Sequence, residues 1–179
     1  MKALNPYNIQ FIGLKIGAHK FDYDIDNAFF HHFEYEDFNA AKLKVEVHLE
    51  KKTTLLELLF KVKGTINVNC DLTNEPYDQY IEDQLSLIVK FGESYNDINE
   101  EILIIPHGEY QINIAQYIYE LVILAVPIKK VHPGIEEGTL KSDILEKLKT
   151  LSPNLNEPKT ETKETDPRWD DLKKLLTDK

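Results

Sequence analysis

The sequence predicts an α+β protein, mainly antiparallel β, built as a curved sheet or partly open barrel with one helix packed on it and a C-terminal tail helix. Three observations predict this fold class. Several short segments alternate apolar and polar residues, which is the period of a strand with one buried face. The segment 113–125 instead repeats its apolar residues at helical spacing. The chain has 179 residues, 42% hydrophobic and 10% aromatic, which is enough apolar material for a sizeable core.

Six predicted strands precede the first long helix: 9–16, 19–25, 42–50, 56–62, 65–70 and 85–91. The clearest is 42–50, in which Leu43 and Val47 share one face and Lys44 lies on the other. Residues 51–54 indicate a hairpin connection, and Gly64 marks a bend or bulge. One-sided alternation favours an antiparallel sheet with one wet face over a doubly wound parallel sheet.

Two helices are predicted after the strands. The first covers 113–125, with Asn113 as its N-cap and Pro127 limiting its C-terminal end. Its other faces are also apolar, so we expect the sheet to wrap around it. The second helix covers 166–177 and begins at Asp166 and Pro167, an acidic cap followed by proline at the first helical position.

Composition divides the chain into three parts. Residues 1–133 are expected to form the folded, β-rich body. Residues 134–165 are poor in aromatic side chains and interrupted by prolines, which predicts an acidic, mostly flexible linker, with a short helix at 139–150 as one option. Residues 166–177 complete the chain as the C-terminal helix.

Charge and cysteine content exclude several classes of protein. Lys and Arg total 21 against 31 Asp and Glu, a net charge of −10. This balance argues against binding nucleic acid by bulk charge and against a polybasic membrane-surface protein. The single cysteine excludes an internal disulfide framework and an all-cysteine zinc site. We find no signal peptide and no apolar run of transmembrane length, so a cytoplasmic protein without membrane contact is expected.

The residues do not assemble a recognisable catalytic motif. There is no phosphate-binding glycine loop and no G-x-S-x-G elbow. His31 and His32 precede Asp37, and an imidazole–carboxylate set of this kind could serve a metal-dependent hydrolase. Adjacent histidines on an extended chain point to opposite faces, however, which favours a polar edge beside core aromatics. We therefore predict no catalytic residue, no metal and no cofactor, and we expect Cys70 to be an inert, partly buried thiol whose thiolate Asp71 disfavours.

Lysines and carboxylates are the candidate binding groups. Lysines recur on two sequential strands and form one positive stripe if those strands pair: Lys42, Lys44, Lys51, Lys52, Lys61 and Lys63. Such a stripe could touch RNA phosphates, although Glu46, Glu50 and Glu57 dilute it, or it could protect the strands against edge aggregation. Carboxylate clusters such as 22–26 and 97–101 indicate solvated faces or a surface that attracts a basic partner.

Three landmarks in the chain resemble the YceD-like family. They are GTINVNCDLTNEP, YELVILAVPIKKVHP and DPRWDDLKKL, and their family-motif residues are Gly64, Cys70, Asp71, His132, Pro133, Asp166, Pro167 and Arg168. Many family members carry C-x-x-C at the first landmark and a second cysteine pair, a pattern suited to zinc. This chain has Thr73 at the second cysteine position and only His132 in the later region, which leaves a closed zinc site two ligands short.

The resemblance implies a non-enzymatic role in accumulation of 23S ribosomal RNA or assembly of the large ribosomal subunit. The implied partner is a basic ribosomal protein or the assembling subunit, with weak or indirect RNA contact. The proposed partner-binding residues are Arg168, Trp169, Leu172, Lys42, Lys44, Lys61 and Lys63. Trp169 would anchor the C-terminal helix on a partner, or the helix would fold back on the body. A hydrolase and a generic protein-interaction module are the alternatives.

Overall fold

The computed structural model describes residues 2–99, 101–140 and 142–151, which fall into two units divided between Ser142 and Asp143. The strands of the first unit are β1 (Asn8–Gln10), β2 (Gly17–Ile25), β3 (Ala40–Lys51), β4 (Leu55–Asn69), β5 (Pro76–Gly92), β6 (Asn96–Asn99), β7 (Ile102–Pro106) and β8 (Gln111–Asn113). Its helices are a 3-10 helix (Lys2–Tyr7), α1 (Asn27–His31), α2 (Ala115–Ala125) and α3 (Pro133–Glu136). The described part of the second unit contains α4 (Asp143–Leu151).

Six strands form one open sheet in the order β2-β3-β4-β5-β7-β6. The strands from β2 to β5 make an antiparallel meander, β7 runs parallel to β5, and β6 pairs antiparallel with the far side of β7. The strands β1 and β8 form a separate antiparallel pair. The prediction of a mainly antiparallel β protein is therefore correct in outline. The sheet does not close into a barrel, and the parallel pair was not predicted.

One face of the sheet is buried because its strands alternate apolar and polar side chains. Val45 and Phe60 are fully buried on this face, whereas Lys44 on the other face is exposed. The helices α1 and α2 contact this sheet, and Phe30 and Ile118 bring large apolar side chains into the core. Burying a side chain of this size stabilises the fold by about 1.5–3 kcal/mol relative to leaving it exposed.

Helix α2 lies against the sheet with one side open to solvent. Tyr117 and Leu121 are buried, but Leu124 is 76% exposed, so the sheet does not wrap around the helix as predicted. The N-cap is Ile114, without a side-chain cap bond, and not Asn113 as predicted. Asn113 lies one residue earlier, where its Oδ1 accepts the N–H of Ala115 at 3.0 Å. The helix is therefore less buried than its apolar residues on all faces predicted.

The segment between β1 and β2 departs from its predicted strand. Residues 11–16 lie in turns and bends, and Ile12 is 68% exposed. The Lys51 ammonium group donates to the backbone carbonyls of Phe11 and Leu14, both at 2.8 Å. A side chain from the end of β3 therefore holds this segment in place of a strand ladder.

The chain after β8 and α2 contains short helices in its described part. Helix α3 begins at Pro133, and α4 spans Asp143–Leu151. The predicted C-terminal helix, 166–177, lies outside the described residues. Within the described ranges, no helix combines the length and apolar character needed to cross a bilayer.

Candidate functional site

The four predicted lysines lie together on the sheet face opposite the core. In the β3–β4 pairing Lys44 faces Lys63, and Glu46 faces Lys61. Lys42 lies two residues before Lys44, on the same face of β3, because side chains alternate along a strand. All four lysines are exposed. We call the solvent side of β2, β3, β4 and β5 the open face.

Carboxylates border these lysines on the neighbouring strands. One row across the open face contains Asp24, Lys44, Lys63 and Glu82. The adjacent row contains Asp22, Glu46, Lys61 and Gln84. Two carboxylates thus accompany two lysines in the first row, and two accompany one lysine in the second. The stripe predicted from β3 and β4 alone is neutralised by β2 and β5.

Glu46 is the centre of the ion pairs on this face. Its carboxylate lies 3.2 Å from Lys20 Nζ and 3.9 Å from Lys63 Nζ. The pKa of Glu46 is lowered, above all because Lys20 donates a hydrogen bond to it. The same lysine also contacts Asp22 at 3.2 Å. Since the lysines and Asp22 are exposed and Glu46 is only half-buried, these pairs add little to stability.

A cavity of about 280 Å³ lies among these charged rows. Its lining includes Glu46, Lys61, Lys63, Glu82 and Asp83. Pockets for small organic ligands are mostly apolar with few polar groups. This cavity has the opposite composition, so we interpret it as a depression in a charged contact surface.

The family-motif residues Cys70 and His132 meet at the end of β4. The backbone N–H of His132 donates to Cys70 Sγ at 3.3 Å. Beside this bond, Asp71 and Lys130 exchange two hydrogen bonds of 2.7 Å: the Asp71 N–H donates to the Lys130 carbonyl, and the Lys130 N–H donates to Asp71 Oδ2. We call these four residues the Cys70 clasp. It fixes the segment before α3 against the end of β4.

Hydrogen bonds to the sulfur change the chemistry expected for Cys70. Burial acts to raise the pKa of the thiol, since the residue is only 2% exposed. The Thr73 hydroxyl and the backbone N–H groups of His132, Leu72 and Thr73 donate to the sulfur and outweigh burial, so the pKa is lowered. The thiolate is therefore favoured and not disfavoured as expected, and Cys70 is fully and not partly buried. The Asp71 carboxylate accepts the Lys130 N–H.

The clasp does not have the ligands for the zinc site that the family pattern implies. Thr73 occupies the position of the second cysteine and hydrogen-bonds to the sulfur of Cys70. The Nδ1 atom of His132 already accepts the N–H of Gly134 at 2.9 Å. In the ranges that the structure covers, no group of three or more His, Cys, Asp or Glu side chains is placed to hold a metal ion. One thiol and one imidazole do not make a closed zinc site.

Gly64 permits a close approach between two central strands. Its φ is +148°, and a Cβ atom at this position would lie 2.3 Å from the carbonyl oxygen of Lys42 and 2.9 Å from the Cα of Leu43. A glycine is therefore required at this position of β4, where its backbone lies against Lys42 and Leu43 of β3. The predicted irregularity is a strained backbone position within a continuous strand.

The remaining candidate residues separate into two groups. His31 and His32 are exposed at the end of α1, and Asp37 is exposed in the following loop. The alternative hydrolase site is not assembled among the residues with described positions. The other group consists of the C-terminal candidates Asp166, Pro167, Arg168, Trp169 and Leu172, which lie outside the described residues.

A groove that was not predicted from the sequence lies between β5 and α2. Its volume is about 540 Å³, and it is lined by Leu85, Asp97, Tyr117, Tyr119, Glu120, Ile123 and Leu124. The Tyr117 hydroxyl donates to Asp97 Oδ1 at 3.3 Å. Burial, followed by the negative charge of Asp97, raises the pKa of Tyr117. One feature of the sequence could have indicated this groove: α2 has an apolar residue, Leu124, on the same side as the charged residue Glu120, which is the side expected to face solvent.

These features define a β-sheet protein with a helix-covered core on one side and a mixed-charge, open surface on the other. A family comparison then assigns it more closely. The chain belongs to the family of the large ribosomal RNA subunit accumulation protein YceD, which residues 58–176 match. The match includes the Cys70 clasp and confirms the resemblance predicted from the three landmarks. Searches of curated proteins and of solved structures gave no match.

Proposed function

We propose that this chain is a non-enzymatic accessory factor for accumulation of 23S ribosomal RNA and assembly of the large ribosomal subunit. It acts by binding a basic ribosomal protein before that protein reaches the RNA. The family name supports the ribosomal role, because it refers to accumulation of the large ribosomal RNA subunit. The mode of action rests on the charge arrangement of the open face.

The observation that carries the proposal is the bordering of Lys44 and Lys63 by carboxylates. Asp24 and Glu82 are their neighbours on β2 and β5. An RNA-binding surface needs clustered cations that release counterions from phosphates. Lysines with carboxylates on both sides do not provide such a cluster. A surface with fixed charges of both signs and a chain charge of −10 suits a basic protein partner.

Direct RNA contact is the second candidate, because one part of the open face has suitable groups. Lys44 and Lys63 are adjacent, and Lys42 precedes them on β3. Tyr80 is 56% exposed on the neighbouring strand β5, where its ring could stack on an unpaired base. The Tyr80 hydroxyl donates to Glu82 at 3.1 Å, which keeps a carboxylate beside this ring.

Cells that lack the chain test the ribosomal role. We expect 23S ribosomal RNA and free large subunits to fall, while 16S ribosomal RNA stays constant, as measured by quantitative hybridisation and sucrose-gradient profiles. Restoring the wild-type chain must restore both quantities. Unchanged subunit profiles in the deleted cells would rule out the proposed function.

Affinity purification separates the two partner classes. We expect the wild-type chain to retain a basic ribosomal protein at low salt, to lose it at high salt, and to keep it after ribonuclease treatment. A variant with Lys42, Lys44, Lys61 and Lys63 changed to glutamine should retain that protein. Loss of the partner from this variant together with loss after ribonuclease treatment would instead support direct RNA contact.

A further inference from the structure

We infer that the outer edge of β5 and the adjoining groove between β5 and α2 bind an extended, lysine- or arginine-rich segment of a protein partner as an added strand. The choice of a basic protein rests on the proposed function, which this inference deepens. Three observations carry it: a stretch of sheet edge that has no neighbouring strand in the described part of the chain, an apolar groove beside that stretch, and an excess of carboxylates along both.

Much of β5 has no strand on its outer side among the described residues. On its inner side, β5 pairs with β4 from Pro76 to Lys90. On its outer side, β7 pairs with β5 only from Ile88 to Gly92. Residues 76–87 therefore form an edge in line with β7, and we call this stretch the β5 edge. Such an edge presents backbone N–H and C=O groups that an extended peptide can pair with.

The β-ladder determines which backbone groups point outward. Ile88 donates its N–H outward, to the Glu101 carbonyl, at 2.8 Å. Since N–H and C=O groups alternate in direction from one strand residue to the next, Tyr80, Glu82 and Ser86 also point their backbone groups outward. The β5 edge thus offers the repeat of every second residue that strand addition requires.

Two outward groups are engaged by nearby side chains. The Gln84 N–H donates to Asp83 Oδ1 at 2.8 Å, and the Gln79 side-chain amide donates to the Tyr80 carbonyl at 2.8 Å. Both hydrogen bonds use exposed or half-buried side chains from the adjacent residue. An added strand can replace them with backbone hydrogen bonds, and the side chains then become available to contact the partner.

The groove gives the added strand a place for apolar side chains. Leu85 belongs to the β5 edge and lines the groove together with Ile123 and Leu124 of α2. Leu124 is 76% exposed, so the groove has an uncovered apolar wall. In an added strand, alternate side chains point to opposite faces of the sheet. One set would therefore enter the groove, and the other would lie on the open face.

Charge selects a basic partner for this position. The sequence of the β5 edge contains Asp78, Glu82 and Asp83 but no lysine or arginine. Asp97 and Glu120 add two carboxylates at the groove, whose lining also contains no lysine or arginine. The opposite edge of the sheet is different, because β2 carries Lys20 and His19 together with its aspartates. Electrostatic attraction of a basic segment is thus concentrated at the β5 edge.

The test uses the full chain and a labelled seven-residue peptide in which lysine and valine alternate. Its matched control has the same sequence with every backbone nitrogen methylated, which keeps the side-chain charge but removes the N–H donors from both edges of the peptide and so prevents strand pairing. By fluorescence anisotropy we expect the unmodified peptide to bind and the methylated peptide to bind at least about tenfold more weakly, which corresponds to about 1.4 kcal/mol.

Charge variants locate the binding position. Changing Glu82→Gln with Asp83→Asn should weaken peptide binding at least about fivefold. The matched variant outside the β5 edge, the groove and the open face, Glu93→Gln with Glu109→Gln, removes the same charge and should bind as the wild type does. All four side chains are exposed, so both variants should fold.

Amide hydrogen exchange supplies an independent readout. Peptide binding should slow exchange at the outward N–H groups of Tyr80, Glu82 and Ser86 and leave the amides of β2 unchanged. Equal weakening by both charge variants, equal binding of the methylated peptide, or no added protection on β5 would overturn strand addition. None of these results affects the ribosomal RNA measurement, so failure of this inference is distinguishable from failure of the proposed function.

Discussion

The sulfur of Cys70 accepts a hydrogen bond from the backbone N–H of His132 at 3.3 Å, joining two positions 62 residues apart. At the position where the family pattern implies a second cysteine, this chain has Thr73, whose hydroxyl also bonds to the sulfur. Hydrogen bonds therefore hold together a part of the fold for which the family pattern implies a metal. The stability of this region should depend on these individual donors.

Removing one donor should raise the pKa of the Cys70 thiol. We expect Thr73→Val to move the pKa upward from its lowered value, because the valine side chain cannot donate to the sulfur. Carbon NMR of protein labelled at the cysteine Cβ follows the titration of this single cysteine. Thr53→Val, an exposed position in the β3–β4 hairpin, is the matched control and should leave the titration unchanged.

The lowered pKa of Cys70 also predicts how stability varies with pH. The folded state favours the thiolate relative to the unfolded chain, whose thiol has an ordinary pKa of 9.0. This contribution to the free energy of unfolding is complete above pH 9.0 and is lost as the pH falls through the folded value. In urea titrations, the free energy of unfolding of the wild type relative to Cys70→Ala should therefore increase as the pH is raised from the folded pKa to 9.0. A constant difference across the interval would contradict the assignment.

Asp71 should contribute to stability through its side-chain acceptor. Asp71→Ala removes the acceptor of the Lys130 N–H at 2.7 Å and should destabilise the fold by about 0.5–1.5 kcal/mol, since the bond is exposed to solvent. Asp71→Asn keeps an oxygen acceptor for the Lys130 N–H and should reduce the free energy of unfolding by less than Asp71→Ala does. Urea unfolding measures both effects, and faster exchange of the Lys130 amide should accompany the alanine variant. Equal stability of the alanine variant and the wild type would show that the clasp is dispensable.

Gly64 should not tolerate a side chain. Gly64→Ala places a methyl group 2.3 Å from the Lys42 carbonyl oxygen at a φ of +148°. We expect the free energy of unfolding to fall by about 1–3 kcal/mol or more. Gly108→Ala is the matched control, since a Cβ atom there has no heavy atom within 4 Å. Thermal unfolding should separate the two variants clearly. A Gly64→Ala protein as stable as Gly108→Ala would contradict the close approach of Gly64 to Lys42 and Leu43 of β3.

Two neighbouring lysines should differ in their structural importance. Lys51→Met removes the donor to the Phe11 and Leu14 carbonyls and should cost about 1.5–3 kcal/mol while making residues 11–16 more sensitive to protease. Lys52→Met removes only an exposed ion pair with Glu57 and should cost less than about 1 kcal/mol. Limited proteolysis and urea unfolding check both effects. Similar behaviour of the two variants would refute the role assigned to Lys51.

The central strands could be predicted because local patterns determine them. Alternation identified β3, and residues 51–54 formed the expected hairpin, in which the Lys52 N–H donates to the Leu55 carbonyl at 3.0 Å. A short hairpin sets the register of its two strands. The proximity of Lys44 and Lys63 followed from that register. Their neutralisation depended on which strands flank the hairpin, and the pattern of β3 and β4 contains no such information.

The rest of the site depends on contacts between distant segments. Strand β7 spans Ile102–Pro106, a short apolar run without alternation, so its parallel pairing with β5 had no local signal. The groove beside α2 had no local signal either, because its lining comes from β5, β6 and α2, which are separated in the sequence. The strand prediction for residues 11–16 was wrong for a related reason. Ile12, Leu14 and Ile16 alternate as in a strand, but they have no partner strand in the described structure.

The pairing of β1 with β8 brings together Asn8 and Asn113, which are 105 positions apart in the sequence. Closing so long a loop costs more entropy than closing the short hairpins between neighbouring strands. We expect the β2–β5 meander to assemble first during folding, and the terminal pair to form afterwards on that platform. The amino-terminal end of this unit is thus the natural starting point for local unfolding, so truncations there should speed unfolding more than they slow refolding.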